Sequence, residues 1–368
     1  MTVKSITLSG FRNYSSATVA FSDGANIITG ANAQGKTNLL EAIYLLTSGR
    51  SFRTRTDREM IGDSVSEAEV CGEAEAAGRQ HNVSIRLAEG KRKQIRQNGV
   101  NKTASELSGE LRAVLFLPDD LNIISDGARA GRKFMDTAIS RLKPAYAELI
   151  AEYARALEQK MRILRDRREK PALLALLDDF SDVMCKYSSR IIRYRAAYVC
   201  RLNQKAAILQ NEMSGDADRL EIRYRADGAP EDPTAPADEL YERLRAHMVS
   251  RREAELRSGL CLAGVHRDGL DIAVNGKEAR VYASRGQMRT AAVAIKMAER
   301  EICSGETGER PLLLLDDVLS ELDSRRREYV LGKTGEGQTF ITGCDNDTPA
   351  PEGGGKLIRV TNGCISEP

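Results

Sequence analysis

The chain is expected to fold as an α/β protein that seats a phosphate group at the edge of a mixed sheet, and three stretches predict this. Gly30-Ala31-Asn32-Ala33-Gln34-Gly35-Lys36-Thr37 fits the phosphate-loop pattern G-x-x-x-x-G-K-[ST]. Pro311-Leu312-Leu313-Leu314-Leu315-Asp316-Asp317 is an apolar run closed by two acids. Ser284-Arg285-Gly286-Gln287 stands at the head of a helical stretch shortly before that run.

The phosphate loop has the flanks it needs. Ala25 to Thr29 reads as a short strand before it, and Asn38 to Leu46 as a helix after it, with Leu39, Ile43 and Leu46 on one face. Gly30 and Gly35 let the backbone turn tightly around an oxyanion, and N–H groups at the helix start point at it. Lys36 would neutralise the β- and γ-phosphates of ATP, and the Thr37 hydroxyl would ligate Mg²⁺. Glycine loops also open helices in ordinary α/β proteins, but the Lys-Thr pair and both flanks argue for the phosphate site.

From Val65 to Phe116 the chain reads as short strands with turns at Ala77-Gly78 and Asn98-Gly99, an antiparallel β layer beside the site. Residues 126–258 read as mainly helical. Tyr146, Leu149 or Ile150, Tyr153, Leu157, Met161 and Leu164 form one apolar stripe. Phe180, Met184, Tyr187, Ile191, Tyr194, Tyr198 and Leu202 form a second, with Pro171 between them. A compact helical hairpin fits better than a long coiled coil. Arg162, Arg165, Arg167, Arg168, Lys170, Arg190, Arg193, Arg195 and Arg201 read as exposed charge on this lobe, either a solvated face or a nucleic-acid contact. Gly228 to Ala237 is a loop.

Four leucines in a row suit a central parallel strand covered on both faces, and its C-terminal end is where open α/β sheets place ligand chemistry. In this Walker B pattern Asp316 would hold Mg²⁺, directly or through water, and Asp317 would polarise the attacking water. A core strand with an acidic cap is the plain alternative. Most of the chain separates Lys36 from Asp316, so a large insertion is implied. That layout resembles the ABC-type ATPase heads, in which N- and C-terminal parts build one nucleotide site. Ser284, Gly286 and Gln287 then resemble the ABC signature, before a helix whose Met288, Ala292, Ile295 and Ala298 recur at helical spacing. Such a signature grips a γ-phosphate presented by a second subunit. Ser320-Glu321-Leu322-Asp323 resembles the D-loop that crosses the dimer interface. The expected division is 1–125 and 259–368 for the two parts of the head and 126–258 for the inserted lobe.

Composition frames these readings. The 368 residues suffice for two domains or one with a large insertion, and a net charge of +2 permits a local basic patch without requiring one. The seven cysteines include no C-x-x-C pair, which suits free thiols in a reducing compartment rather than a disulfide framework or zinc ribbon. The N-terminus lacks a signal-peptide run, and no apolar stretch nears the ~20 residues that span a bilayer, so a cytoplasmic protein without membrane contact is expected.

Taken in order, the motifs resemble the RecF family of recombination mediators. The resemblance spans nearly the whole chain. It rests on Gly10-Phe11-Arg12-Asn13-Tyr14, the phosphate loop ending in Lys36-Thr37-Asn38, and Gly49-Arg50-Ser51-Phe52-Arg53-Thr54. It continues through Phe116-Leu117-Pro118-Asp119-Asp120-Leu121, Gly131-Arg132-Lys133-Phe134-Met135-Asp136, Gly264-Val265-His266-Arg267-Asp268, the Ser284 signature and Leu315-Asp316-Asp317. The family usually has Gly-Pro-His-Arg where Gly264-Val265-His266-Arg267 stands here. A Q-loop glutamine is not evident, although Pro118-Asp119-Asp120 occupies its region. No switch histidine follows Walker B, although Thr339 to Thr342 is the corresponding strand. His266 reads equally as a structural buttress or a catalytic group.

The resemblance implies an ATP switch. ATP and Mg²⁺ bind at Gly30 through Asn38 with Asp316, and two heads close into a homodimer in which each Ser284 completes the opposite Lys36 site. The closed dimer holds duplex DNA near a gap or a single-strand/double-strand junction. With RecR and RecO it promotes loading of RecA, and slow hydrolysis releases it. Other classes stay open: a membrane-transporter ATPase, which would carry Asp-Glu where Asp316-Asp317 stands, and an SMC-like head acting through a protein partner rather than DNA.

Overall fold

The computed structural model describes residues 1–228, 232–343 and 355–366. The chain forms two compact units, Met1–Leu121 with Lys296–Pro368, and Asn122–Ile295. Residues 259–295, with the Ser284 motif, thus lie in the second unit. Cys344 and residues 229–231 of the Gly228–Ala237 loop fall outside the described residues; the other six cysteines form no disulfide among the described residues.

The first unit opens with a hairpin, β1 (Thr2–Phe11) and β2 (Tyr14–Ala20), then β3 (Ala25–Thr29) and helix α1 (Lys36–Ser48). A meander follows: β4 (Glu67–Ala76), β5 (Arg79–Ala88), β6 (Gln94–Gln97) and β7 (Val100–Asn101). Its turns at Ala77-Gly78 and Asn98-Gly99 take positive φ, the conformation tight hairpins need. Helix α2 (Ala104–Glu110), with a Thr103/Glu106 capping box, leads to β8 (Ala113–Phe116). The antiparallel sheet runs β2-β1-β4-β5-β6-β7. The β layer expected over 65–116 is therefore real but differently bounded. β1 and β2 belong to it, while Ala113–Phe116 leaves it for the parallel sheet, because all four of its residues are buried.

The second unit holds α3 (Ala128–Leu142), α4 (Pro144–Asp166), α5 (Leu177–Ser214), β9 (Leu220–Arg225) and α6 (Ala237–Ser258). β10 (Gly269–Val274), β11 (Lys277–Glu278) and α7 (Ala279–Tyr282) follow. β9 sits inside the span read as helical and pairs with β10 in a three-stranded sheet, β11-β10-β9. The α4 stripe also differs from expectation. Its buried line runs Tyr146, Leu149, Tyr153, Ala156, Lys160 and Ile163 to Leu164, while Met161 is 39% exposed. The buried positions advance by alternating steps of three and four, whereas the expected stripe takes successive steps of four from Tyr153 to Leu157 to Met161, each of which turns further off that face. Lys160 survives at the core position because Glu255 of α6 meets it at 2.9 Å, both side chains only 1% exposed.

Helix α8 (Arg285–Thr307) carries the chain back into the first unit at Lys296. There β12 (Leu312–Asp316), α9 (Ser324–Gly332), β13 (Thr339–Gly343), β14 (Lys356–Thr361) and β15 (Cys364–Ser366) complete the second sheet. Its order is β15-β14-β3-β13-β12-β8, parallel except for β15. Helix α1 packs against strands of both sheets, which is why it buries Leu39, Leu40, Ile43, Leu45 and Leu46 rather than a single stripe. Buried Gln338 stitches the sheets together: Val3 N donates to its Oε1 at 2.6 Å, and its Nε2 donates to Val3 O and Ser22 O at 2.8 Å.

Candidate functional site

The phosphate loop connects β3 to α1 in a conformation that glycine permits. Gly30 has φ 146° and Gly35 φ 119°; a Cβ on Gly30 would come within 2.3 Å of Val360 O. Ala33, at φ 64°, is also left-handed, a strained state for alanine. The loop is held from outside. Asn13 Nδ2 donates to Gln34 O at 2.9 Å and the buried Tyr14 hydroxyl to Gly35 O at 3.0 Å. Asn362 N donates to Gln34 Oε1 at 2.7 Å and Gly363 N to Gln34 O at 3.1 Å. Gln34 is thus a loop anchor, tied down by the β14–β15 turn. Asn32 is exposed on the loop.

Lys36, 5% exposed, folds back so that Nζ donates to the carbonyls of Gly30 at 2.7 Å and Ala31 at 3.0 Å. An ammonium ringed by carbonyl oxygens at a helix N-terminus is poised to meet an anion entering the loop. One residue on, Thr37 Oγ1 donates to Asp316 Oδ1 at 3.0 Å. The parallel register sets Thr342 beside Asp316, and Thr342 Oγ1 donates to the same Oδ1 at 2.8 Å while accepting from Asp317 N at 3.0 Å. Burial raises the Asp316 carboxyl above its usual range, an effect the two hydroxyl bonds oppose. A hydroxyl and a carboxylate at this spacing are the hard oxygen donors that suit Mg²⁺. Asp317 leaves the strand at φ 54°, a strained turn that sets it apart from the strand behind it.

A polar cluster gathers one turn after Thr37 on α1, and sequence reading missed its centre, Glu41. This wholly buried carboxylate of α1 receives Arg12 through two bonds, Nε–Oε2 at 2.9 Å and Nη2–Oε1 at 2.7 Å. The Ser51 hydroxyl donates to it as well, and Arg53 Nη1 lies 3.6 Å from Oε2. Asn38 donates to Asn13 Oδ1 and accepts from Arg53 Nη1, both at 2.7 Å. The Gly10–Tyr14 and Gly49–Thr54 motifs thus converge on the phosphate-loop helix. Only the paired arginines around one acid could have signalled this in the sequence.

Ser284, Gly286 and Gln287 lie in the second unit, whereas Gly30 through Asn38, Asp316 and Asp317 gather in the first. Gln287 N donates to Ser284 Oγ at 3.2 Å and Ser284 N to Gln287 Oε1 at 2.9 Å, so the motif forms a capping box at the start of α8. Gln287 Nε2 also donates to Asp218 Oδ1 at 2.8 Å. Ser284 is exposed, and beside it Val281 and Tyr282 are 61% and 69% exposed. Of the D-loop residues, Ser320 donates to Asp317 O at 2.6 Å, Leu322 is buried and Asp323 caps α9.

Two further motifs meet in a buried knot. Arg195, read as exposed, is 2% exposed: Nη1 donates to Asp268 Oδ2 at 2.6 Å and Nη2 to Asp136 Oδ1 at 2.8 Å. Arg132 donates to Asp268 O at 2.5 Å, and Tyr224 donates to the Asp268 carboxylate. Arg167 is likewise half-buried and donates to the carbonyls of Leu164, Leu256 and Arg257. His266 contacts the Tyr153 hydroxyl through Nδ1 at 2.7 Å and Cys261 O through Nε2 at 3.3 Å, the position of a buttress within this lobe.

No helix among the described residues is long and apolar enough to cross a membrane. Residues 2–362 match the family described as RecF/RecN/SMC N terminal domain. The DNA replication and repair protein RecF of Symbiobacterium thermophilum is 38% identical over 375 residues, covering 99% of this chain and 98% of that protein. The solved structure of the recombination mediator protein RecF-ATPrS in RecFOR pathway is 32% identical with TM-score 0.93, over 100% of this chain and 98% of that one. An Smc head domain derived from Pyrococcus furiosus, 16% identical with TM-score 0.55, shares the fold alone. The fold is that of an ABC/SMC-type ATPase head, and the chain belongs to the RecF family.

Proposed function

We propose that this chain is an ATP-gated DNA-binding switch of recombinational repair and replication restart. The observation that carries it is the meeting of Thr37, Asp316 and Thr342 beside a loop whose Lys36 ammonium faces inward. Lys36 and the N–H groups of the loop bind the β- and γ-phosphates of ATP. Thr37 and Asp316 hold Mg²⁺, which supplies charge neutralisation, and Asp317 orients the attacking water. Ser284, exposed at the α8 N-terminus, completes the site of a second copy, so that ATP binding closes a homodimer. The solved relative with ATPrS and the repair function in its relatives' names support this reading. Duplex DNA near a single-strand gap is the cargo, RecR and RecO are the partners that lead to RecA loading, and slow hydrolysis releases the clamp.

The test is binding to a fluorescent gapped duplex without nucleotide, with ADP and with ATP–Mg²⁺, at two salt concentrations because phosphate contacts are salt-sensitive. Tight binding with ATP alone, abolished in Lys36→Met, is expected. Weak binding indifferent to nucleotide would overturn the clamp and direct attention to a protein partner.

A further inference from the structure

The last described hairpin of the chain reaches back to the phosphate loop. β14 pairs with β3 in parallel register, Arg359 beside Thr29, so the turn that ends β14 stands where β3 gives way to the loop. Thr361 pairs with Cys364, which leaves Asn362 and Gly363 as a two-residue turn. Both are left-handed, at φ 49° and 72°, as a tight hairpin of this kind requires. At position 363 the conformation and the space both demand glycine, since a Cβ would come within 2.2 Å of Asn13 O. Gly363 N thereby reaches Gln34 O and donates to it at 3.1 Å, while Asn362 N donates to Gln34 Oε1 at 2.7 Å. Asn13 Nδ2 donates to the same Gln34 carbonyl at 2.9 Å. Two donors on one carbonyl oxygen use both of its lone pairs.

We infer that the Asn362-Gly363 turn is a positioning element for nucleotide, an inference that rests on the ATP reading above. In a planar trans peptide the C=O and N–H point opposite ways. Donors that draw the Gln34 carbonyl outward therefore swing the Gly35 N–H inward, to the side on which the loop receives a phosphate. Gly35, at φ 119° and without a Cβ, tolerates either orientation of that peptide, so the donors on the carbonyl decide which one the loop keeps. The turn touches neither nucleotide nor Mg²⁺; it acts through Gln34. The β-phosphate, present in ADP and ATP alike, is the group this N–H meets. The turn therefore governs affinity for both nucleotides and leaves the chemical step alone.

The test, on the full chain, is ADP–Mg²⁺ binding by calorimetry beside single-turnover hydrolysis at saturating ATP. Gly363→Ala should bind ADP about 10-fold more weakly and hydrolyse ATP at the parental rate once saturated. Asn362→Gly, which keeps the N–H and the left-handed backbone, should bind as the parent does. Gln34→Ala leaves the turn intact and removes the acceptor for Asn362 N; it should bind ADP about 3-fold more weakly. A hairpin that only stabilises the fold would lower the unfolding temperature of Gly363→Ala without moving its ADP affinity. An unchanged affinity in Gly363→Ala, or in Gln34→Ala should the former not fold, overturns the positioning role while the ATP reading stands. If the parent binds neither ADP nor ATP, both fall.

Discussion

Thr37 and Asp316 stand 279 positions apart in the chain, yet the Thr37 hydroxyl donates to the Asp316 carboxylate at 3.0 Å. The first turn of α1 and the end of β12 make that bond only because β3 and β12 flank β13 in parallel register. Thr342, on β13, closes the arrangement by holding both Asp316 Oδ1 and Asp317 N. A single central strand thus sets the relation between the phosphate loop and the two acids.

Thr342→Val removes both of these bonds and preserves shape. The Asp316 carboxylate and the strained Asp317 turn would then lose their common anchor. Hydrolysis should fall about 10–100-fold, the range for groups that orient a metal ligand, while ATP still binds. Single-turnover hydrolysis beside equilibrium nucleotide binding separates the two, and an unchanged rate would remove Thr342 from the site.

The Arg12–Glu41 pair lies under α1, with Glu41 wholly buried and the Arg12 side chain 15% exposed. Removing one partner strands a charge, so Arg12→Ala or Glu41→Ala should each cost about 3 kcal/mol. The double variant should cost clearly less than the sum. A urea-unfolding cycle on the full chain measures the difference; strict additivity would mean the two side chains are not coupled.

His266 gives a pH prediction. Burial holds its imidazole below the ordinary value, and Arg267 and Arg132 push the same way against Asp227. The folded protein therefore favours the neutral ring. Its stabilisation is complete above the unfolded histidine value near 6.5 and is lost as pH falls through the depressed folded value. His266→Gln should lose less stability than the parent between about pH 7 and 5. Thermal unfolding over that range checks it, and parallel curves would contradict a buried, neutral His266.

Much of the site was legible because it is local. The glycine loop, its flanking strand and helix, and the leucine run ending in Asp316 and Asp317 each announce themselves within a few residues. What escaped was set by distant packing. Thr342 matters through the parallel register, which no stretch of one strand encodes. Glu41 reads as an ordinary solvated helix acid until two arginines from separate loops cover it. Arg195 sits among exposed arginines in the sequence, yet it points inward to Asp136 and Asp268. Charge type alone does not reveal which face of a helix is buried.

The composite site makes the sharpest prediction, because its two halves lie on separable residues. Lys36→Met should abolish ATP binding by removing the ammonium at the loop. Ser284→Ala should leave ATP binding intact, since the role proposed for Ser284 is in the site of a second copy, but stop hydrolysis by removing the hydroxyl that grips the γ-phosphate. Val281→Arg, beside Ser284 on the same exposed face, should weaken dimerisation. Mixing the Lys36→Met and Ser284→Ala chains then creates heterodimers in which the Lys36 of one meets the Ser284 of the other. Each such heterodimer holds one intact site, so an equimolar mixture should recover up to about a quarter of the parental rate, the value for random pairing in a two-fold dimer. No recovery, with both variants folded and the two chains pairing in the presence of ATP, would place Ser284 outside the site and remove the argument for a shared one.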